Sequence, residues 1–333
     1  MKTQVIDCES IFEAALCLNK GGTVVFPTET VYGLGADAFN PEAVLKIFKA
    51  KGRPADNPLI VHISDISDLD KLVCEVNSNA QLLAEKFWPG PLTLIFRKCP
   101  DVPDCVTAGL DTVAVRMPSN AIARKLIAQS KVLVAAPSAN LSGSPSPTSC
   151  SDVVDDLDGR VDFIIDGTGC EIGLESTVVD VSGDETVVLR PGGISLEMIQ
   201  QYIPDAKLDS GLVDMESTPR CPGLKYTHYS PSADVFVVQG TKGNIRKYIA
   251  DAIKYDPFAG VLTYKGGTYD DALLVLNAGN NMEEYAHNLF AFLRKFDKAG
   301  VKTIYAEFNI EDGIGVAVRN RLYKSAGHKV IEV

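Results

Sequence analysis

Short apolar runs of strand length alternate along this chain with stretches whose apolar positions recur at helical spacing. Residues 10–19 carry the helical spacing, and Gly21-Gly22 stops it. Asn40 is a candidate cap, with Pro41 at the first position of a helix running to about Lys51. Residues 83–87 and 121–129 also read as helices. Strands are expected at 23–26, 58–63, 92–96, 112–116, 132–135, 162–165, 176–181 and 186–190. Strict β-α-β alternation is absent. The pattern therefore predicts an α/β domain with a twisted, mixed sheet rather than a simple doubly wound one.

The last hundred residues alternate more regularly. Strands are expected at 235–238, 260–264, 272–276, 304–307 and 330–333, with helices at 244–253, 282–298 and 315–324. That order suggests a small Rossmann-like sheet. No G-x-G-x-x-G follows its first strand, so no dinucleotide is assigned to it. Prolines at 204, 219, 222 and 231 preclude one continuous helix between the two regions. A structureless stretch of that length reads as a linker or a lid. The expected division is a catalytic domain at 1–205, a linker or lid at 206–233, and a C-terminal domain at 234–333.

Composition narrows the class. Of 333 residues, 46% are hydrophobic and 23% charged, which fits a globular protein rather than a disordered one. No apolar run reaches the roughly 18 residues of a membrane span. An acid at Asp7 interrupts the place where a signal peptide needs an apolar core, so a cytoplasmic location is expected. The net charge of -11 argues against a coat for phosphate backbones, though not against a local basic cleft. Eight cysteines, at 8, 17, 74, 99, 105, 150, 170 and 221, form no C-x-x-C pair and read as scattered reduced thiols. The four histidines are far apart, and no structural metal is expected.

Five segments could carry chemistry. P-T-E-T-V-Y-G-L-G (27–35) leaves a strand with hydroxyls, a carboxylate and two glycines. It suits a ligand loop, and equally an ordinary turn with capping threonines. K-A-K-G-R-P-A-D-N-P-L (49–59) ends the Pro41 helix. Its cations have a plain reading in the helix dipole, but Lys51 and Arg53 flank a glycine as a polyphosphate site would need. This is no Walker motif. A-A-P-S-A-N-L-S-G-S-P-S-P-T (135–148) offers hydroxyls and an amide at a strand end, where α/β sheets place ligands, or else forms a solvated loop. Arg116, Ser176 and Arg190 stand at strand ends; Arg116 could clamp a carboxylate. P-G-L-K-Y-T-H-Y-S-P (222–231) puts two tyrosines, a lysine and a histidine in the linker, which suits a lid more than a passive spacer.

In this order the motifs resemble those of the YrdC-like threonylcarbamoyl-adenylate synthases in their long, two-domain form. P-T-E-T-V-Y-G-L, K-G-R-P-x-x-N-P-L, P-S-A-N-x-S-G, E-S-T-V-V-D, L-R-P-G and P-G-L-K-Y-T-H-Y-S-P span residues 27–231, and G-I-G-V-A-V-R-N-R-L-Y-K-S-A (313–326) matches the end of the long form. The resemblance implies a nucleotidyl transfer. L-threonine and bicarbonate or carbon dioxide give an N-carboxylated threonine, which attacks the α-phosphate of ATP. Pyrophosphate leaves and threonylcarbamoyl-AMP forms. Downstream transferase proteins then modify an adenosine of tRNA.

It further implies Thr30, His62, Arg116, Ala136 and Ser176 around threonine. Around ATP it implies Arg53, Asn57, Thr112, Ser138, Asn140, Ser146, Arg190 and Tyr229. Lys51 and Arg53 are the expected phosphate-neutralising catalytic pair, and Mg2+ is expected to arrive with ATP. No residue stands out as a general base, so positioning and charge stabilisation are expected to carry the reaction. Leu224, Thr227, Ser230 and Glu29 depart mildly from the common pattern. Two other classes remain open at this point: an RNA-binding module of the same fold, with weak RNA contact, and a carbamoyl-transfer module like those of hydrogenase-maturation proteins. The zinc-binding and acylphosphatase-like regions of the latter are not found.

Overall fold

The computed structural model describes residues 2–167, 169–212, 229–309 and 312–333. Its described residues fall into two compact units. The first takes 2–142, 147–171 and 175–212; the second takes 143–146, 172–174 and everything from 229 onward.

The first unit is built on one mixed sheet. Among the described residues it has eleven strands: β1 (Gln4–Ile6), β2 (Val24–Phe26), β3 (Gly33–Asp37), β4 (Ile60–His62), β5 (Leu92–Arg97), β6 (Thr112–Arg116), β7 (Val134–Ala136), β8 (Phe163–Ile165), β9 (Thr177–Asp180), β10 (Val187–Arg190) and β11 (Lys207–Leu208). Their order is β1-β8-β2-β3-β7-β4-β6-β5-β9-β10-β11. Parallel and antiparallel pairs are interspersed, as the missing β-α-β regularity predicts. The helices are α1 (Ile11–Asn19), α2 (Pro41–Lys51), α3 (Ser78–Phe87), α4 (Asp104–Thr107), α5 (Ala121–Ser130), α6 (Cys150–Leu157) and α7 (Leu196–Gln200).

Strand alternation decides what covers each face. Val61, Leu94, Val113, Val115, Ala135 and Val179 point to one face. There they meet Val44 and Ile47 of α2, Leu83 of α3, Val106 of α4, Leu157 of α6 and Ile199 of α7 in the main core. The opposite face is split. At one end Val24, Phe26, Val134, Ala136 and Ile165 pack under α1 and α5. Farther along, Ile60, Ala114, Ile95, Val178 and Leu189 form a cluster of strand side chains with no helix in it. The same strip carries His62 of β4, Arg116 of β6 and Thr93 of β5 side by side.

The helix that delivers Lys51 is locally well specified. Asn40 accepts a hydrogen bond from the Ala43 amide at 3.2 Å, Pro41 opens α2, and Gly52 closes it with a left-handed φ of +62°. Val44, Ile47 and Phe48 form its buried stripe. Each contributes about 1.5–3 kcal/mol of burial. The stop at Gly52 therefore fixes where Lys51 stands.

The second unit carries a parallel sheet, β12 (Asp234–Gln239), β13 (Ala259–Thr263), β14 (Leu274–Asn277), β15 (Thr303–Glu307) and β16 (Val330–Glu332), in the order β14-β13-β15-β12-β16. Helices α8 (Lys242–Ile253), α9 (Met282–Lys298) and α10 (Gly315–Ser325) accompany it. The Rossmann-like expectation is met. Residues 143–146 and 172–174 belong to this unit by packing. Arg294 of α9 donates from Nε and Nη2 to the Pro145 carbonyl, at 3.0 and 2.6 Å. Gly173 has φ +80°, and a Cβ there would lie 2.4 Å from the His287 carbonyl oxygen, so only glycine fits.

Several elements differ from expectation. Residues 33–37 read as a glycine-containing loop but form β3. A Cβ on Gly35 would meet Val134 Cγ1 at 2.6 Å and the Phe26 ring at 2.8 Å, so glycine here serves close packing within the sheet. β1, α6 and α7 were not expected. Ser149, directly after the hydroxyl-rich run, caps α6 through the Asp152 amide at 3.3 Å. The expected linker from 206 begins instead with β11, which pairs in parallel with β10. Of the linker motif, residues 222–228 lie outside the described residues.

Candidate active site

Three of the sequence motifs are joined by backbone hydrogen bonds before any side chain is considered. The Leu34 amide donates to the Pro137 carbonyl at 2.9 Å, and the Ala139 amide to that of Tyr32 at 2.8 Å. The Ser142 amide donates to the Lys51 carbonyl at 2.9 Å. These bonds hold the 27–35, 49–59 and 135–148 segments against one another at the end of β7.

Lys51 is buried, with 3% of its surface exposed. Its ammonium donates to the carbonyls of Ser138 at 2.5 Å and Asn140 at 2.6 Å, and more weakly to Asn140 Oδ1 at 3.4 Å. Ser138 Oγ in turn donates to that same Oδ1 at 2.6 Å. Lys51 thus fixes the P-S-A-N loop from beneath. Beyond Gly52, Arg53 Nη2 donates to the carbonyls of Asn57 and Pro58, at 3.1 and 3.3 Å, closing a tight bend. Asn57 is buried, and its Nδ2 has no hydrogen-bond partner among the described residues. A buried amide donor without a partner costs roughly 1–3 kcal/mol, and marks a position where a ligand acceptor would be welcome.

A second polar group lies on the strip of β4, β6 and β5. Arg116 ends β6, directly beside His62 of β4 and Thr93 of β5 in the strand register. Its Nη1 donates to Thr30 Oγ1 at 2.8 Å and its Nε to the Gly90 carbonyl at 3.4 Å. Nη2 lies 2.7 Å from Glu29 Oε1, too oblique to count as a hydrogen bond but a close charge pair. Both residues are nearly inaccessible, at 4% and 3%. Burial alone would raise the Glu29 carboxyl; the guanidinium beside it outweighs that and holds it below the usual carboxylate range. His62 is held neutral. Burial, with the Arg116 charge adding to it, pushes its imidazole down to about 3. Its Nδ1 is 3.2 Å from the Ile60 carbonyl, and its ring meets Phe26 edge-on at 6.0 Å.

The network continues sideways along the strip. Thr93 Oγ1 and Ser176 Oγ are 2.8 Å apart, and Arg190 donates from Nε to the Ser176 carbonyl and from Nη2 to Ser176 Oγ, both at 3.1 Å. Ala136 ends β7 opposite Ile60. Thr112, Ala114 and Arg116 share one face of β6 by alternation, so Thr112 stands one strand length from the guanidinium, roughly 13 Å at about 3.3 Å per residue.

The structure places His62, Arg116 and Ala136 on adjoining strands, with Thr30 bonded to Arg116 from the loop before β3 and Ser176 beside Thr93 just ahead of β9. It gathers Lys51, Ser138 and Asn140 in one cluster and Arg53 with Asn57 in another. Arg190, expected among the nucleotide residues, is tied to Ser176 of the threonine set. Ser146 and Tyr229 belong to the second unit. There Tyr229 has φ +68°, stacks on Phe290 at 5.1 Å and lies under Arg321 at 5.8 Å. Sequence reasoning missed Glu29 as the partner of Arg116, and Thr93 as the hydroxyl joining the two arginine clusters. Strand register, had it been known, is the signal that would have found both.

A mixed-sheet α/β domain with a buried arginine–carboxylate pair on its strands and a cation-and-amide bend after α2 is the class that these observations define. Comparison with known proteins sharpens that class. Residues 17–192 match the Sua5, YciO and YrdC family model, described as "Telomere recombination", and residues 194–327 match that described as "Threonylcarbamoyl-AMP synthase, C-terminal domain". Similar curated proteins include threonylcarbamoyl-AMP synthases of Pyrococcus abyssi (48% identity, 96% of this chain and 95% of that one) and Bacillus subtilis (48%, 96% and 94%). The crystal structure of P. abyssi Sua5 complexed with L-threonine superposes with a TM-score of 0.95 at 45% identity, covering 100% of both chains. The chain belongs to the Sua5/YrdC family of threonylcarbamoyl-AMP synthases in its two-domain form.

Proposed function

We propose that this protein is an L-threonylcarbamoyladenylate synthase, using ATP, L-threonine and bicarbonate or carbon dioxide. The observation that carries the reading is the Arg116 cluster. A buried guanidinium, hydrogen-bonded to Thr30 and ion-paired with Glu29, stands beside a neutral imidazole in the strand register. Relatives near half identity over nearly full length bear the synthase name, and one is described with L-threonine bound.

In this reading the threonine carboxylate faces Arg116, and the hydroxyls of Thr30 and Ser176 with the His62 ring border the rest of the amino acid. The amine takes up carbon dioxide and gives a proton to bicarbonate or solvent water, leaving a carbamate. A carbamate oxygen attacks the α-phosphorus of ATP, the bond to the β-phosphate oxygen breaks, and pyrophosphate departs. Lys51 acts by holding the 138–142 loop, while Arg53 and the Asn57 amide present donors to the nucleotide. Cations, hydroxyls and amides form a donor set for phosphate oxygens rather than a metal cage, so Mg2+ is read as arriving on the triphosphate. No step needs a strong base, and a neutral His62 with so low a basicity agrees with positioning as the main catalytic device. The cytoplasm is the proposed location, and proteins that pass the threonylcarbamoyl group to tRNA are the proposed downstream partners.

The test is pyrophosphate release from ATP in the presence of magnesium and bicarbonate. It should require threonine. Release that is indifferent to threonine, or none at all, would overturn the reading.

A further inference from the structure

We propose that Cys74 and Cys99 form a reversible dithiol–disulfide site, oxidised by small hydroperoxides, on the first unit. The eight cysteines are scattered in sequence, but the fold brings these two together. Val73 and Lys98 pair as an isolated antiparallel bridge just past the end of β5, and the Cys99 amide donates to the Leu72 carbonyl at 2.8 Å. Those backbone contacts, across 25 residues of chain, leave the two sulfurs 3.0 Å apart. Both are free thiols; Cys74 is exposed and Cys99 half-buried.

The order of events follows from the surroundings. Sharing a hydrogen bond with Cys74, together with burial, pushes the Cys99 thiol up to about 11. Cys74 is the exposed sulfur of the two, so a hydroperoxide in solvent meets it first. The Cys74 thiolate attacks one oxygen of the hydroperoxide, the O–O bond breaks, and the departing oxygen takes a proton as water or an alcohol. Cys99 sulfur then attacks the Cys74 sulfenic acid. An S–S bond forms, the S–O bond breaks, and the second water leaves with the Cys99 proton. Two thiols lose two electrons and the peroxide gains them. A dithiol reductant reverses the reaction by exchange. The site is independent of the synthase reading, because neither cysteine belongs to the polar strip.

The experiment treats the full chain with hydrogen peroxide, alkylates the remaining thiols and maps non-reduced tryptic peptides by mass spectrometry. Trypsin leaves Cys74 in residues 72–86, and both Cys99 and Cys105 in residues 99–116. The expected result is a 72–86/99–116 cross-linked pair, two hydrogens lighter than the sum of its reduced peptides and abolished by dithiothreitol. It should persist in Cys105→Ser and vanish in Cys99→Ser. A wild-type map without the pair, with Cys74 advancing to sulfinic acid instead, would overturn the proposal. So would a cross-link that survives Cys99→Ser through Cys105. Fragmentation of the wild-type pair, which shows whether Cys99 or Cys105 carries the alkyl group, decides even if a variant folds poorly.

Discussion

Two buried cations face the candidate site, and they are stabilised differently. Arg116 sits against a carboxylate, Glu29, which offsets its charge before any substrate arrives. Lys51 is met by the carbonyl and amide oxygens of Ser138 and Asn140. The guanidinium has five donors in a rigid fork, so it can hold Glu29, Thr30 and Gly90 and still present an edge to a ligand. The ammonium has three donors and gives bonds to the loop at Ser138 and Asn140. The proposed function divides the labour on that basis: Arg116 meets the substrate carboxylate, and Lys51 holds the 138–142 loop.

Removing Arg116 should break this contrast most severely. Arg116→Ala is expected to lower threonine-dependent pyrophosphate release by at least about a hundredfold, some 3 kcal/mol at about 1.36 kcal/mol per decade. It should also destabilise the fold by roughly 3–5 kcal/mol, because Glu29 is left buried without its partner. Chemical denaturation of the variant checks the second part; an unchanged midpoint would mean that the ion pair is not structural. Lys51→Met should cost about 2–4 kcal/mol through two buried carbonyls left unsatisfied. Its kinetic effect should fall mainly on KM for ATP, whereas a pure loss in kcat at constant KM would return Lys51 to direct catalysis.

A pH series sharpens the guanidinium side. His62 is depressed to about 3 in the fold from an ordinary 6.5, so the unfolded chain binds the extra proton between those values. Its contribution is fully present above pH 6.5 and is lost as pH falls towards 3. His62→Gln should flatten that part of the stability curve, measured by urea midpoints at pH 7, 5 and 4. Glu29, also depressed, acts in the same direction but only below its ordinary 4.5. The smallest effect is expected from Glu29→Gln. It should make threonine bind several-fold more tightly, because a negative charge no longer competes for Arg116, while lowering stability by about 1–3 kcal/mol. Calorimetric titration with threonine reads the first and thermal melting the second; weaker binding would show that orientation by Glu29 outweighs its charge.

Legibility in the sequence varied with the range of the forces involved. The α2 helix was readable to the residue, since Asn40, Pro41 and Gly52 act on their own backbone. The 112–116 strand was equally plain, and five β-type residues ending in arginine hid nothing. β3 was not readable, because its glycines answer to Phe26 and Val134 on neighbouring strands. β11 was lost in an apparent linker because two residues carry no periodicity, and only pairing with β10 makes them a strand. At the site, the motif residues were nameable from their order alone, but the Glu29–Arg116 and Thr93–Ser176 contacts span 87 and 83 positions and depend on register.

The sequence by itself determined the caps, the strand and helix runs, the two-part α/β organisation and the family to which the ordered motifs point, since each rests on local propensity or on residue identity. Tertiary structure alone decided which strands carry the Arg116 cluster, that Lys51 meets the 138–140 loop, and that two cysteines 25 residues apart meet. Those outcomes follow from strand order and register, where a shift of one residue would turn Arg116 from the polar strip into the apolar core.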